Sequence, residues 1–343
     1  MRRKQLMSFD ERNIPKVELH VHLDTCISYH CARMLMPSLN LRMFRTHFIA
    51  PEKCNDLSDF LSRITPQLDL LQTTCALRQA VDDIFDQLHA DGVIYAELRF
   101  APLLHLNQNL TAEQVVETVL GAMQARSQIY GIEANLILCT LRHFSAQQSL
   151  ETARLVARYL GKGVVALDLA ADEARYSLDN HIKAFDYVRS HGGDCIAHAG
   201  EARGFASVNE TLDNLNVSRI GHGVRSVEDK ATLDRLLRDN IHLEVCPGCN
   251  IVCNIYPSIG DHPVNTLFHA GISLSINTDA RTVANTTLNE EYQLLHHIFG
   301  WKDEEFLTCN LNAIRASFAL PRVKQRLERI LLSQTLLDKH DTV

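Results

Sequence analysis

Six residues in this chain have side chains and spacings suited to metal-assisted hydrolysis. His20 and His22 stand two apart in Glu18-Leu19-His20-Val21-His22-Leu23-Asp24, a stretch that alternates polar and apolar residues. In an extended strand that alternation sends His20, His22 and Asp24 to one face, where neighbours ~6.8 Å apart let two imidazoles converge on one ion. A hydrogen-bonded pair of core histidines would show the same pattern, so the pair alone leaves both readings open. Further on, Cys195-Ile196-Ala197-His198-Ala199-Gly200-Glu201 puts a third histidine at a strand end and a carboxylate just past it. Glu201 can handle a proton at that centre without binding the metal, although a surface carboxylate at a helix start is the plainer reading. Arg219-Ile220-Gly221-His222-Gly223 sets a histidine between glycines, which permit close approach of backbone or ligand. Ser275-Ile276-Asn277-Thr278-Asp279 closes the set with another carboxylate.

Strands must position these groups. Short apolar runs rich in β-branched residues alternate with segments of helical period, and eight candidate strands follow at 17–23, 93–100, 134–140, 164–170, 194–198, 219–221, 242–246 and 272–277. Between the first two, Leu77, Val81, Ile84, Phe85 and Leu88 fall on one helical face ahead of Gly92. Thr111 with Gln114 reads as a capping box before Val115, Val116, Val119, Leu120 and Met123. The pattern predicts an α/β fold, a (β/α)8 TIM-type barrel with extra helices at about 25–75 and after 300, formed by a single domain over 1–343. An open doubly wound sheet is disfavoured because no Gly-x-Gly-x-x-Gly turn follows the first strand. Four strands that end in His or Asp match the rule that barrel chemistry gathers at the C-terminal face.

Composition narrows the partner. The chain has 343 residues, 46% hydrophobic and 22% charged, with a formal charge of −7, values ordinary for a soluble globular protein and unlike a nucleic-acid binder. A small molecule is the expected partner. Arg2-Arg3-Lys4 is followed by no apolar run of signal-peptide length, and no uninterrupted apolar stretch is long enough to span a bilayer, so a cytoplasmic location with no membrane partner is expected. The ten cysteines show no framework spacing and read as free thiols. Cys246-Pro247-Gly248-Cys249 with Cys253 has CxxC spacing, but proline follows the first cysteine and the His-Glu pair is His-x-x-Glu, unlike zinc cytidine deaminases, so these thiols are not expected to bind metal.

Taken in order, Pro15 to Asp24, Tyr95-Ala96-Glu97-Leu98-Arg99-Phe100-Ala101-Pro102, Asp168-Leu169-Ala170-Ala171-Asp172-Glu173, His198-Ala199-Gly200-Glu201, Arg219 to Gly223 and Ser275 to Asp279 resemble the adenosine deaminases of the amidohydrolase superfamily over nearly the whole chain. The resemblance implies one Zn2+ held by His20, His22, His198 and Asp279 with water in an open position. Strand four has no lysine to bridge a second metal, which favours a single ion. It also implies that Glu201 protonates the purine ring and that His222 and Asp279 orient and deprotonate the water. His22, Asp24 and the backbone of Ala171 would contact a purine nucleoside. The expected reaction is deamination of adenosine or 2′-deoxyadenosine to inosine or 2′-deoxyinosine and ammonia. Another 6-aminopurine nucleoside, such as aminodeoxyfutalosine or an N6-substituted adenosine, is the alternative substrate. A catalytically inactive nucleoside-binding protein is the alternative of another class, and the full set of catalytic residue types speaks against it. Three departures bear on specificity: Ala171 replaces the family's usual glycine, Ala280 replaces a polar residue, commonly aspartate, that contacts the imidazole side of the base, and Thr25-Cys26 replaces the usual glycine and small residue after Asp24 on the sugar side.

Overall fold

The chain alternates strand and helix, and its strands pair in sequence order. A computed structural model describes residues 9–340, so Arg2-Arg3-Lys4 lies outside the described residues. The strands are β1 (Lys16–His22), β2 (Val93–Phe100), β3 (Glu133–Leu141), β4 (Val164–Ala170), β5 (Asp194–Ala199), β6 (Arg219–His222), β7 (His242–Val245) and β8 (Leu274–Ile276), in one sheet with every neighbouring pair parallel. They are the eight anticipated from periodicity, with ends displaced by at most two residues.

β8 is shorter than its apolar run for a physical reason. The seam between β8 and β1 is closed by a single parallel bridge, Val21 to Asp279, in which His22 N–H donates to the Asp279 carbonyl at 2.8 Å and Asp279 N–H to the His20 carbonyl at 2.9 Å. Between that bridge and β8, the Asn277 side-chain oxygen takes the place of a backbone acceptor, receiving the N–H groups of Leu19 at 2.8 Å and His20 at 3.2 Å. The barrel is thus nearly closed, and its tightest point lies beside the metal-type residues.

The anticipated helices follow from their caps and faces. The helix Thr74–Ala90 buries Leu77, Val81, Ile84, Phe85 and Leu88, and Gly92 beyond it takes φ +73°. In Ala112–Tyr130 the Thr111–Gln114 capping box forms in both directions, at 3.2 and 2.9 Å. The extra helices are Tyr29–Leu35, Leu41–His47, Leu57–Ser62 and Thr65–Leu70 before the Thr74–Ala90 helix, and Asp303–Ala316 and Pro321–His340 at the C-terminal end.

The lower barrel interior carries a buried ionic network beside a small apolar cluster of Ile137, Ala166 and Ile196. Arg99 donates to Asp168 at 2.9 Å and to Glu244 at 2.6 Å, while Arg219 donates to Glu244 at 2.7 Å and to Glu97 at 2.5 Å, all five side chains being buried. Buried charges are tolerable only when paired and hydrogen-bonded. Three carboxylates against two guanidiniums leave one net negative charge directly beneath the histidines.

Candidate active site

Backbone conformation marks the site before its chemistry is considered. Among the described residues, eight non-glycines have positive φ; five are asparagines, which tolerate this region, and the others are Ala171, His222 and Asp279 at +76°, +62° and +62°. His222 ends β6, and Ala171 and Asp279 lie just past the ends of β4 and β8, all at the C-terminal mouth. Strain held at a mouth where side chains converge is the pattern of a functional site.

His20, His22, His198 and Asp279 each bring one ligand-type atom within 4.8 Å of the others. His22 Nε2 and His198 Nε2 are 3.3 Å apart, and Asp279 Oδ1 is 3.4 Å from His20 Nε2 and 3.3 Å from His22 Nε2. His20 Nε2 is buried with no hydrogen-bond partner, a costly state for a polar atom that a cation would relieve. Burial pushes His22 down to about 3, into the neutral form a metal requires. Three imidazole nitrogens and a carboxylate oxygen suit zinc.

The ionic network underneath holds these rings. His20 Nδ1 is 2.9 Å from Glu244 Oε2 and His198 Nδ1 is 3.2 Å from Asp168 Oδ1. Each ring is thereby turned to present Nε2 inward, the arrangement in which a carboxylate behind a ligating histidine sets its tautomer. Although burial opposes ionisation of Glu244, the Arg219 and Arg99 guanidiniums hold it well below the usual carboxylate range. Asp279 ionises for a similar reason, the contacts with His20, His22 and His222 outweighing its burial.

Glu201 sits in the turn after β5, where Glu173 accepts the backbone N–H groups of Gly200, Glu201 and Arg203 and the hydroxyl of Ser207. Burial, reinforced by the negative charges of Asp279 and Glu173, pushes the Glu201 carboxyl well above its ordinary range, which favours its protonated form. Its Oε2 lies 3.6 Å from His222 Nε2, and burial keeps His222 neutral.

A cleft of about 250 Å³ opens beside the cluster, lined by His22, Asp24, Leu104, His143, Ala171 and Tyr176 among others. Asp24 reaches it differently from expectation. β1 has an irregular register between Glu18 and Val21 and ends at His22, so Asp24 lies off the strand in the 3-10 turn Leu23–Thr25. The Ala101 N–H donates to it at 3.3 Å, and His105 Nε2 lies 3.5 Å away. Ala171 takes a left-handed conformation that costs an L-residue roughly 1–2 kcal/mol, the physical reason glycine is usual at such a position. Ala280 is buried in an apolar patch with Cys54, Leu57, Phe60, Cys246, Cys249 and Cys253.

The three cysteines after β7 form no metal cluster of their own among the described residues. Cys249 donates its thiol to Asp279 Oδ2 at 2.9 Å and lies 3.8 Å from Cys253, while Cys246 lies close to His222 and Asp279. Burial pushes Cys253 up to about 12, which keeps it a thiol.

Sequence reasoning passed over Glu244, Asp168, Arg99 and Arg219 as site residues, although a charged residue within a short, largely apolar strand was a visible signal in each case. It also passed over Asn250, His262 and His105. Nothing in their local sequence marks them, since their partners are far along the chain.

The family model described as Adenosine deaminase matches residues 15–332. The chain is 33% identical over 325 residues to the adenosine deaminase of Clostridium botulinum strain Hall, covering 92% of this chain and 97% of that one. It is 32% identical over 327 residues to the adenosine deaminase of Clostridium perfringens strain ATCC 13124, covering 92% and 97%. Among solved structures it resembles the adenine deaminase of Arthrobacter aurescens (TM-score 0.86, 24% identity, 94% and 99% covered) and the Arabidopsis N6-mAMP deaminase (0.83, 24%, 94% and 98%). An amidohydrolase from Burkholderia ambifaria with bound zinc is also similar (0.87, 19%, 98% and 96%). Those three share the fold. The match along the sequence, joined to a mouth that gathers three histidines and an aspartate beside a buried glutamate, places the chain in the adenosine deaminase family, as a hydrolase of C–N bonds and a purine deaminase.

Proposed function

We propose that the chain hydrolyses the exocyclic amine of adenosine and 2′-deoxyadenosine, releasing the 6-oxo nucleoside and ammonia. The observation that carries this reading is the meeting of the buried Glu201 carboxyl with His222, itself beside Asp279 and the His20, His22 and His198 rings. One zinc per chain, held by those three rings and Asp279, would supply a water activated for attack at neutral pH. Glu201 donates its proton to the ring nitrogen beside the amine-bearing carbon and makes that carbon electrophilic. His222 and Asp279 orient the attacking water and receive its proton. The C–O bond forms and the C–N bond breaks; of the water's two hydrogens one leaves with the amine as ammonia and the other restores the proton Glu201 gave to the ring.

Asp24 selects a sugar hydroxyl and, as a buried carboxylate, opposes a 5′-phosphate. Among the described residues lining the cleft, Arg175 is the one Arg or Lys, and its exposed side chain lies 3.5 Å from the Asp172 carboxylate, which offsets its charge. This favours nucleoside over nucleotide, in contrast to the N6-mAMP deaminase. A second reading, another 6-aminopurine nucleoside such as aminodeoxyfutalosine or an N6-substituted adenosine, draws support from Ala280, whose apolar surroundings leave the imidazole side of the base without a carboxylate.

An ammonia-release screen over adenosine, deoxyadenosine, adenine, AMP, aminodeoxyfutalosine and N6-methyladenosine tests both readings. Adenosine and deoxyadenosine should rank first by kcat/KM. If both are inert while another compound turns over, the first reading fails.

A further inference from the structure

We propose that Asn250, clamped by His262, is a positioning residue that fixes where the protons of Glu201 and His222 sit, so that His222 serves the reaction as a hydrogen-bond donor through Nε2. The proposal rests on the role assigned above to Glu201 and narrows that of His222, which keeps the orienting of the water and leaves its proton to Asp279.

The bonds can be followed from a donor whose direction is unambiguous. The Val264 backbone N–H can only donate, and it reaches His262 Nδ1 at 3.2 Å. Burial pushes His262 down to about 3, so its ring is neutral. A neutral imidazole that accepts at Nδ1 carries its hydrogen on Nε2. That Nε2 lies 3.2 Å from one end of the Asn250 amide, which must therefore be the carbonyl oxygen. The other end, the NH2 group, then faces Glu201 Oε1 and His222 Nδ1, each at 3.1 Å.

Two amide hydrogens thus serve the two groups that must carry opposite duties. His222 Nδ1 accepts, since an N–H there would point at another N–H, and the ring hydrogen is left on Nε2. That atom looks toward Glu201 Oε2 at 3.6 Å and Asp279 Oδ2 at 4.0 Å. Glu201 Oε1 accepts as well, which places the carboxyl proton on Oε2. Glu201, His222, Asn250 and His262 are all buried, so the low local dielectric makes each misdirected hydrogen costly. With its hydrogen on Nε2, His222 cannot take a proton at the atom that faces the reacting groups, and Asp279 is left as the acceptor.

Glutamine sets a donating nitrogen near the place of an imidazole Nε2 but has no basic lone pair, so it separates donor from base. His222→Gln should retain turnover within roughly tenfold, while His222→Ala loses ~10²–10³-fold, the usual loss for one positioned donor. Asn250→Ala should lower kcat by about 10–100-fold, the range for removing a supporting partner, with KM changed less than about threefold and zinc content intact. Should Asn250→Ala fail to fold, His262 provides the second arm: His262→Gln, which can still donate to Asn250, should keep more activity than His262→Ala. In zinc-loaded protein carrying 15N-histidine, the His222 signals, assigned by their loss in His222→Gln, should report hydrogen on Nε2, moving toward Nδ1 in Asn250→Asp. Hydrogen on Nδ1 in the wild type, equal losses in His222→Gln and His222→Ala, or an unchanged kcat in Asn250→Ala would each overturn the proposal. Unchanged turnover in Glu201→Gln would instead overturn the acid assignment beneath it.

Discussion

Replacing Glu244 with Gln tests whether the buried ionic network both stabilises the barrel and holds the metal-type histidines. The substitution keeps shape but removes a charge that meets Arg99 at 2.6 Å, Arg219 at 2.7 Å and His20 Nδ1 at 2.9 Å, all buried. Removing one partner of a buried ion pair costs about 3–5 kcal/mol. The retained amide oxygen can still accept one bond, so the lower end, about 3 kcal/mol, is expected for the metal-free protein. Removing the carboxylate behind His20 should further weaken metal affinity by about 10–100-fold, or roughly 1.4–2.8 kcal/mol. Glu97→Gln is the matched control: Glu97 pairs with Arg219 at 2.5 Å in the same network and makes no bond to a metal-type histidine. Urea unfolding of chelator-treated protein gives the first quantity and zinc competition against a chromophoric chelator gives the second. Both variants should lose stability, and only Glu244→Gln should lose zinc affinity. A stability loss below about 1 kcal/mol in Glu244→Gln, or an equal loss of zinc affinity in Glu97→Gln, would refute the reasoning.

Burial pushes Glu291 up to about 7 from an ordinary 4.5. The folded state therefore holds a proton that the unfolded state gives up earlier, so this contribution to stability is full below about 4.5 and is lost as pH rises through about 7. Glu291→Gln should remove that decline in unfolding free energy between pH 4.5 and 7; a parallel pH profile would count against it. Ala171→Gly relieves a left-handed backbone at some cost in unfolded-state entropy, and a net gain of about 0.5–1 kcal/mol in urea unfolding is expected, whereas a loss would show that the methyl packs usefully. Asp24→Asn should raise AMP turnover relative to adenosine by at least about tenfold, because it removes a buried like charge while keeping an acceptor for the sugar hydroxyl; an unchanged ratio in paired kcat/KM measurements would free Asp24 of that role.

Strand number, order of chemistry-bearing segments and the main helices were legible because each is a local pattern: β-branched runs, a 3.6-residue stripe such as Leu77 to Leu88, a capping box at Thr111. The six candidate residues were legible too, since barrel strands run parallel and deliver their C-terminal residues to one mouth whatever lies between them. Alternation along β1 put His20, His22 and Asp24 on one face; Asp24 does line the cleft with His22, but from the 3-10 turn that follows β1, because the strand ends at His22 where its pairing with β2 stops. The support beneath the site was decided only by closure of the barrel. Glu244 lies 224 residues from His20 along the chain and Arg99 lies 69 from Asp168, and nothing local tells a charge where its counter-charge will be. The same holds for Asn250, which is 49 residues from Glu201 and 28 from His222. Residue type and period are properties of a segment and can be read from it. The direction of a proton, the tautomer of a ring and the tolerance of a buried charge are set by atoms brought from elsewhere, and these only the tertiary structure decided.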